Sequence, residues 1–184
     1  DELEAHRKEI ESEILQIAEP FSAVLDLLYT LPGLDKNPMT AIAILSEIGP
    51  DMSVFPSSKH LVSWAGCCPR NDQSNQKVKS RRISRAGSYL KPLLVQVANA
   101  LIKSKKHPEF KERYHRIKSR RGHKKAIIAV CKMLLTAIWN MLSKLEPYNP
   151  EGFLEHRPVK QEKTLTVSQA LELLRLRGYT ITNQ

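Results

Sequence analysis

Carboxylates are nearly missing from the middle of this chain. After Asp72 none occurs until Glu109, while Lys77, Lys79, Arg81, Arg82, Arg85, Lys91, Lys103, Lys105 and Lys106 accumulate. A solvated helix face would interleave both signs; an unbalanced run concentrates polyanions and makes their binding salt-dependent, because each neutralised phosphate releases counterions. The same shortage argues against a magnesium site beside this run, where Asp72 is the one close acid. Cysteine is scarce too. Cys67 and Cys68 are adjacent and cannot readily bridge each other, and Cys131 lies in an apolar helical stripe, so neither a disulfide framework nor a zinc spacing is present. No histidine has metal-ligand spacing. No apolar run approaches the ~20 residues of a membrane span, and no signal peptide opens the chain; the chain is read as cytoplasmic, with no membrane partner. Internal repeats and low-complexity tracts are absent, and strand content is expected to be close to nil.

What remains is a chain of 184 residues with a formal net charge of +10. It suits one or two domains with a proper core, and its charge points to nucleic acid. Leu3, Ile10, Ile14, Ile17, Phe21, Val24 and Leu28 follow alternating four- and three-residue steps, a heptad seam interrupted at Arg7. Pro20 splits it into helices over 2–18 and 20–29, forming either a coiled coil or an ordinary bundle helix. The opening in mid-helix pattern at Asp1 reads as an excerpt preceded by further chain. Leu31-Pro32-Gly33-Leu34 breaks the helix, and Asn37-Pro38 caps the next, which runs to about Glu47. The two helices and their Pro-Gly turn are helix-hairpin-helix-like, although Asp35 stands where a second glycine is usual.

Ser57 caps a short helix over 58–65 that Gly66 ends. A polar, cation-rich loop leads from there to a helix over about 85–105, with Ser84 as its N-cap and Pro92 at a bend or in its first turn. His107-Pro108 starts a basic helix over 108–120, buried on Phe110, Tyr114 and Ile117 and closed by Gly122. From Lys124 to Leu145 a wide apolar stripe predicts the central core helix. Residues 147–163 read as loop or linker, and Thr166 caps a last helix over 167–177, stopped by Gly178, with an extended tail at Tyr179–Ile181. The expected fold is all-α, a helical bundle with a basic loop. Its parts are a connector (1–29), a main domain (30–147) and a linker with a small helical tail (148–184).

Several blocks in fixed order carry a family resemblance: Leu31-Pro-Gly, Ile42-Ala-Ile-Leu-Ser-Glu-Ile-Gly49, Phe55-Pro, His60-Leu-Val-Ser-Trp-Ala-Gly66, Cys68-Pro69, Ser74, Arg82-Ile-Ser-Arg-Ala-Gly87, Lys91-Pro-Leu-Leu, Arg121-Gly-His-Lys-Lys-Ala126 and Pro147-Tyr148. Over residues 30–150 the chain closely resembles the C-terminal transposase domain of the IS-one-ten group of insertion-sequence transposases, relatives of the pilin-gene invertases. The resemblance implies a DNA transposase that forms a phosphoserine link to DNA. In the family an N-terminal RNase H-like domain holds magnesium on four acidic residues, so no cofactor is expected in this chain and Mg2+ belongs to that other domain. It also implies DNA partners at transposon ends and target, a structured guide RNA, and a homo-oligomer through the N-terminal helices. The family's nucleophile lies after a Gly-x-x-Pro segment in a small-residue context. Here it falls on Ser74, with Asn75-Gln76 replacing the small residues.

Elementary chemistry points the same way. A serine attacking a phosphodiester faces a crowded phosphorus whose equatorial oxygens gather charge, and fixed cations aimed there stabilise it by several kcal/mol. Ser74 has Lys77, Lys79, Arg81, Arg82 and Arg85 as neighbours in sequence, with Ser63, Ser80, Ser84 and Ser88 as competitors for its role. Candidate backbone contacts are those five cations, Lys91, and, on the basic helix and the start of the next, Arg116, Lys118, Arg120, Arg121, His123 and Lys124. Two other readings stay open: a non-catalytic helix-hairpin-helix DNA-binding scaffold, and an RNA-binding or assembly module.

Overall fold

The computed structural model describes residues 2–69, 72–74, 77–80, 86–151 and 167–177. In chain order the helices are α1 (Glu2–Ala18), α2 (Ser22–Tyr29), α3 (Pro38–Ile48), α4 (Ser58–Trp64), α5 (Leu90–Leu101), α6 (Pro108–Arg121), α7 (His123–Lys144) and α8 (Val167–Leu176). Short 3-10 turns sit at Glu19–Phe21 and Met52–Val54. The protein is an all-α helical bundle. Among the described residues the departure is one antiparallel pair, β1 (Asp72–Ser74) and β2 (Lys77–Ser80), within the stretch read from sequence as a polar loop. Residues 1–150 form one unit and 151–184 a second.

The core follows from the periodicity of α7. Ile127, Val130, Cys131, Leu134, Leu135, Ile138 and Leu142 are buried on it, and α2, α4, α5 and α6 all pack against it. Its 22 residues contain an 18-residue window of mean hydropathy 1.7, long and apolar enough to cross a membrane, but more than half of that window is buried inside the bundle. The sequence reading, which saw no such run, counted apolar letters in a row; Lys132 and Asn140 interrupt the run, yet the mean over the 18 residues still reaches 1.7. Trp139 ties this core to the Met52–Val54 turn, its Nε1–H donating to the Phe55 carbonyl at 2.9 Å.

Local signals set most element ends. The Asn37 side chain accepts from the Thr40 amide and Pro38 opens α3, while Gly49 and Gly122 close α3 and α6 at φ of 74° and 80°. The Ser57 hydroxyl at the start of α4 bonds His60 Nδ1 rather than a backbone amide. One boundary differs from expectation. α5 begins at Leu90 with Tyr89 in the N-cap position, so Ser84, outside the described residues, does not cap it; Pro92 falls in the first turn, where its missing N–H has no partner to lose.

The Pro-Gly turn between α2 and α3 faces inward. Leu31, Pro32 and Leu34 are buried, and a Cβ on Gly33 would stand 2.9 Å from Val97 Cγ1 of α5. The Gly33 amide donates to the Asp35 carboxylate. That occupies the N–H which a helix-hairpin-helix would turn to a phosphate, so the turn acts here as a packing element.

Pro20 divides the heptad seam as expected. Behind it Leu25 and Leu28 are buried, whereas ahead of it Leu3 and Ile17 are 82% and 74% exposed. Arg7, where the seam is interrupted, pairs with Glu4 at 3.2 Å and Glu11 at 3.5 Å along the helix. A groove of about 780 Å³ opens beside the seam, lined by Ile14, Ile17, Phe21, Met39, Ile42 and their neighbours. Past α7 the chain leaves the helix as expected, yet Tyr148 stays on the bundle: its amide donates to Thr30 Oγ1 at 2.9 Å and its hydroxyl to Glu109 Oε1 at 3.0 Å, with its ring stacked on Phe110. Burial and the Glu109 carboxylate push that hydroxyl well above the usual phenol range.

Phe110 is wholly buried. Phe110→Ala is expected to cost about 3–5 kcal/mol of stability by cavity formation, read as a shift in urea midpoint at unchanged slope.

Candidate nucleic-acid interface

The candidate nucleophile lies between two helix ends that touch. α4 stops at Trp64, Gly66 takes φ 65°, and the chain returns through Gly87 at φ 68° to start α5, whose Lys91 amide donates to the Gly87 carbonyl. A Cβ on Gly87 would stand 2.4 Å from the Ala65 carbonyl oxygen; one on Gly66 would stand 2.7 Å from the Ala86 oxygen. The two strands of chain cross where no other residue fits, and the segment between them is held at its neck. Sequence reading treated Gly66 as a helix stop and gave Gly87 no role; two glycines bracketing one loop were the available signal.

Beyond the neck, β1 and β2 form a hairpin. Ser74 pairs with Lys77 at its tip, Gln73 with Val78 and Asp72 with Ser80, with an irregularity between Asp72 and Gln73 that sets Lys79 out of register. The backbone thus puts Ser74 opposite Lys77 at a reversal of the chain. Arg81, Arg82 and Arg85 lie outside the described residues, as do the side chains of Ser74, Lys77 and Lys79.

Lys91 stands apart from the other cations. Half-buried in the first turn of α5, it brings its Nζ to 2.9 Å from where a Gly66 Cβ would be. A cation at a helix N-terminus opposes the helix dipole, so this placement comes from the neck rather than from helix preference. Its charge reaches the thiols below: burial pushes Cys67 up to about 11 and Cys131 up to about 12, with Lys91 opposing both shifts. Thiols held protonated in this way make poor nucleophiles.

A second cationic feature forms where α6 meets α7. Arg116, Lys118, Arg120, Arg121, His123 and Lys124 are all exposed, and the ion pairs among the described residues involve none of them. Arg113, not among the backbone contacts expected from sequence, belongs with them; burial and the nearby Arg116 lower its pKa, as expected where like charges crowd. His123 is fixed from below. Tyr114, buried on α6, places its hydroxyl 2.8 Å from His123 Nδ1, and Lys118 Nζ lies 5.4 Å from the Tyr114 ring centre. From sequence Tyr114 was legible only as a core residue. The corner therefore offers an anion several fixed donors and strong positive potential.

Among the described residues no group of three or more His, Cys, Asp or Glu side chains could hold a metal ion. The described residues thus supply no such ligand set for the magnesium that the resemblance assigns to another domain.

Gly87→Ala should force the neck apart, since the left-handed conformation and the contact with Ala65 both exclude a methyl. Cys67, 2% exposed in the intact chain, would then regain an ordinary thiol pKa. Its alkylation near pH 8.5 should accelerate on the order of a hundredfold, while half-buried Cys68 reacts in both forms. The sign for stability follows: a folded value above the unfolded one contributes stability that is full below the ordinary thiol range and is lost as pH rises through about 11.

Comparison with known proteins completes the site. Residues 25–115 match the model of the Transposase IS116/IS110/IS902 family. The pilin gene-inverting protein of Moraxella bovis is 30% identical over 125 residues, which are 67% of this chain and 38% of that protein. Its counterpart in Moraxella lacunata is 29% identical over the same length. The transposase for insertion sequence element IS1111A of Coxiella burnetii is 29% identical over 122 residues, 65% of this chain and 33% of the relative. No solved structure matches. The chain spans little more than a third of the length of these relatives. The stretch that matches the family model holds the hairpin, its glycine neck and the start of the basic helix, and through it the chain belongs to the IS116/IS110/IS902 family of transposases.

Proposed function

We propose that this chain serves DNA transposition or recombination, supplying a serine that attacks a DNA phosphodiester and a basic corner that holds the strand. The observation that carries the reading is Ser74 at the tip of a hairpin whose two ends are clasped by Gly66 and Gly87, in a chain of a transposase family. In the proposed step the Ser74 oxygen bonds to phosphorus as the bond to the bridging sugar oxygen breaks. The serine proton passes to solvent and the departing oxygen gains one. One phosphate ester replaces another, so the link conserves bond energy and reverses to join a new strand. Lys77, Lys79, Arg81, Arg82 and Arg85 are the cations in sequence reach of the developing charge.

Arg116, Lys118, Arg120, Arg121, His123 and Lys124 are proposed to grip the backbone away from the reacting bond. Lys91 is retained as a contact at the neck. A structured RNA is a second polyanion that this corner suits. The exposed seam on α1 and the groove beside α3 are proposed to pair with a second copy, since heptad spacing fits a partner helix. Magnesium, where the reaction uses it, is proposed to be held outside this chain.

The direct test traps a covalent adduct between DNA and the complete gene product and maps it by mass spectrometry. The adduct is expected on Ser74, and Ser74→Ala should abolish it while DNA affinity stays within about twofold. Strand transfer by the Ala variant, or an adduct elsewhere, would refute the nucleophile. The grip has its own measurement. Replacing Arg116, Lys118, Arg120 and Arg121 with Gln should lower the slope of log affinity against log salt by about 3–4 for duplex DNA, with helical circular dichroism unchanged because all four are exposed.

A further inference from the structure

We infer that Trp64 and Tyr89 form a stacking site for unpaired nucleobases at the neck of the hairpin, an inference that rests on the nucleic-acid reading above. Trp64 is the last residue of α4 and Tyr89 the N-cap of α5. They flank the contact between Ala65 and Gly87, one residue before it and two after it. Both are exposed, Trp64 at 45% and Tyr89 at 74%.

An isolated aromatic ring on a surface needs no explanation. Three observations argue for more here. Aromatic residues make up 6% of the chain, and Phe55, Phe110 and Tyr114 are spent in the core, so two exposed rings at one crossing are not drawn from a surplus. Their bases are rigid: each ends a helix packed on α7, and Trp64 is braced on one side by Phe55, ring centres 5.6 Å apart and tilted by 60°. They also sit at the root of the segment that carries the cationic run, with the Lys91 ammonium at the same neck. Exposed aromatics within a positive field are the means by which proteins hold single-stranded nucleic acid, since every base has a face to stack while its phosphate is drawn electrostatically.

The ligand class follows from the geometry of nucleic acid. In a closed duplex the base faces are covered by their neighbours, so a ring at the protein surface reaches only an opened, bulged or flipped nucleotide. Exchanging strands between duplexes opens pairs next to the broken bond. A site at the hairpin's root would hold such a base while the tip meets the phosphate, and it would add selectivity for opened DNA without adding charge.

The test uses the 184-residue chain with two probes, a perfect duplex and the same duplex with an internal bubble carrying 2-aminopurine. The wild-type chain should quench the 2-aminopurine and bind the bubble more tightly. Tyr89→Ala should remove the quenching and weaken bubble binding about five- to hundredfold, leaving duplex affinity within about twofold and the salt slope unchanged. Tyr89→Phe keeps the ring and should behave as wild type. Tyr89 supports no core contact, so this pair reads stacking rather than folding; Trp64→Ala, which also removes the brace on Phe55, is expected to show the same selectivity loss in whatever fraction folds. Equal losses on both probes, or none from Tyr89→Ala, would overturn the stacking site alone. A wild-type chain that binds neither probe would overturn the nucleic-acid reading with it.

Discussion

Where Gly87 passes the Ala65 carbonyl, the chain makes a contact too close for any side chain, and the geometry of the candidate site hangs from it. A two-stranded hairpin on its own is marginal in water. This one is short, irregular at its base and rich in cations that repel one another, so its strands contribute little to holding it. The restraint comes from outside: α4 and α5 are fixed on α7, and the crossing brings their ends together. Core packing that looks remote from the chemistry therefore decides where the hairpin starts and in which direction it leaves the bundle.

That dependence explains which features were legible in the sequence. The stripe from Ile127 to Leu142 named the core helix, and Asn37-Pro38, Gly49, Gly66 and Gly122 named element ends, because each rests on local periodicity or capping. The order of the helices was legible for the same reason. The neck was not. It joins Ala65 and Gly87, twenty-two residues apart, and nothing in Gly87 alone says that its missing Cβ makes room for a carbonyl at the end of α4. Tyr114 beneath His123 escaped likewise, since a core tyrosine and a histidine anchor have the same spacing. The start of α5 was misjudged because Ser84 is a good cap by type, whereas Pro92 needs its own place within the first turn. The hairpin was hidden because Gln73, Lys77 and Lys79 lack the alternation that marks a strand.

Charge is partitioned as sharply as the packing. α1 carries Glu2, Glu4, Glu9, Glu11 and Glu13 against Arg7 and Lys8, while the α6–α7 corner is almost entirely cationic. A polyanion is attracted to one and repelled by the other. The N-terminal helix is thus unsuited to backbone contact, and its exposed leucine and isoleucines suit a protein surface instead. The net charge of +10 hides this division, and a reading from composition alone would spread the binding surface over the whole chain.

The proposed chemistry makes positional rather than energetic demands on the protein. Replacing one phosphate ester by another is close to isoenergetic, so the domain has no bond energy to supply; it must bring an alcohol in line with phosphorus and keep it there through breakage and rejoining. A hydroxyl on a two-strand hairpin would wander if the hairpin pivoted freely. Clasping it at a glycine crossing between α4 and α5, both packed on α7, and seating a cation at the same neck reduce that freedom.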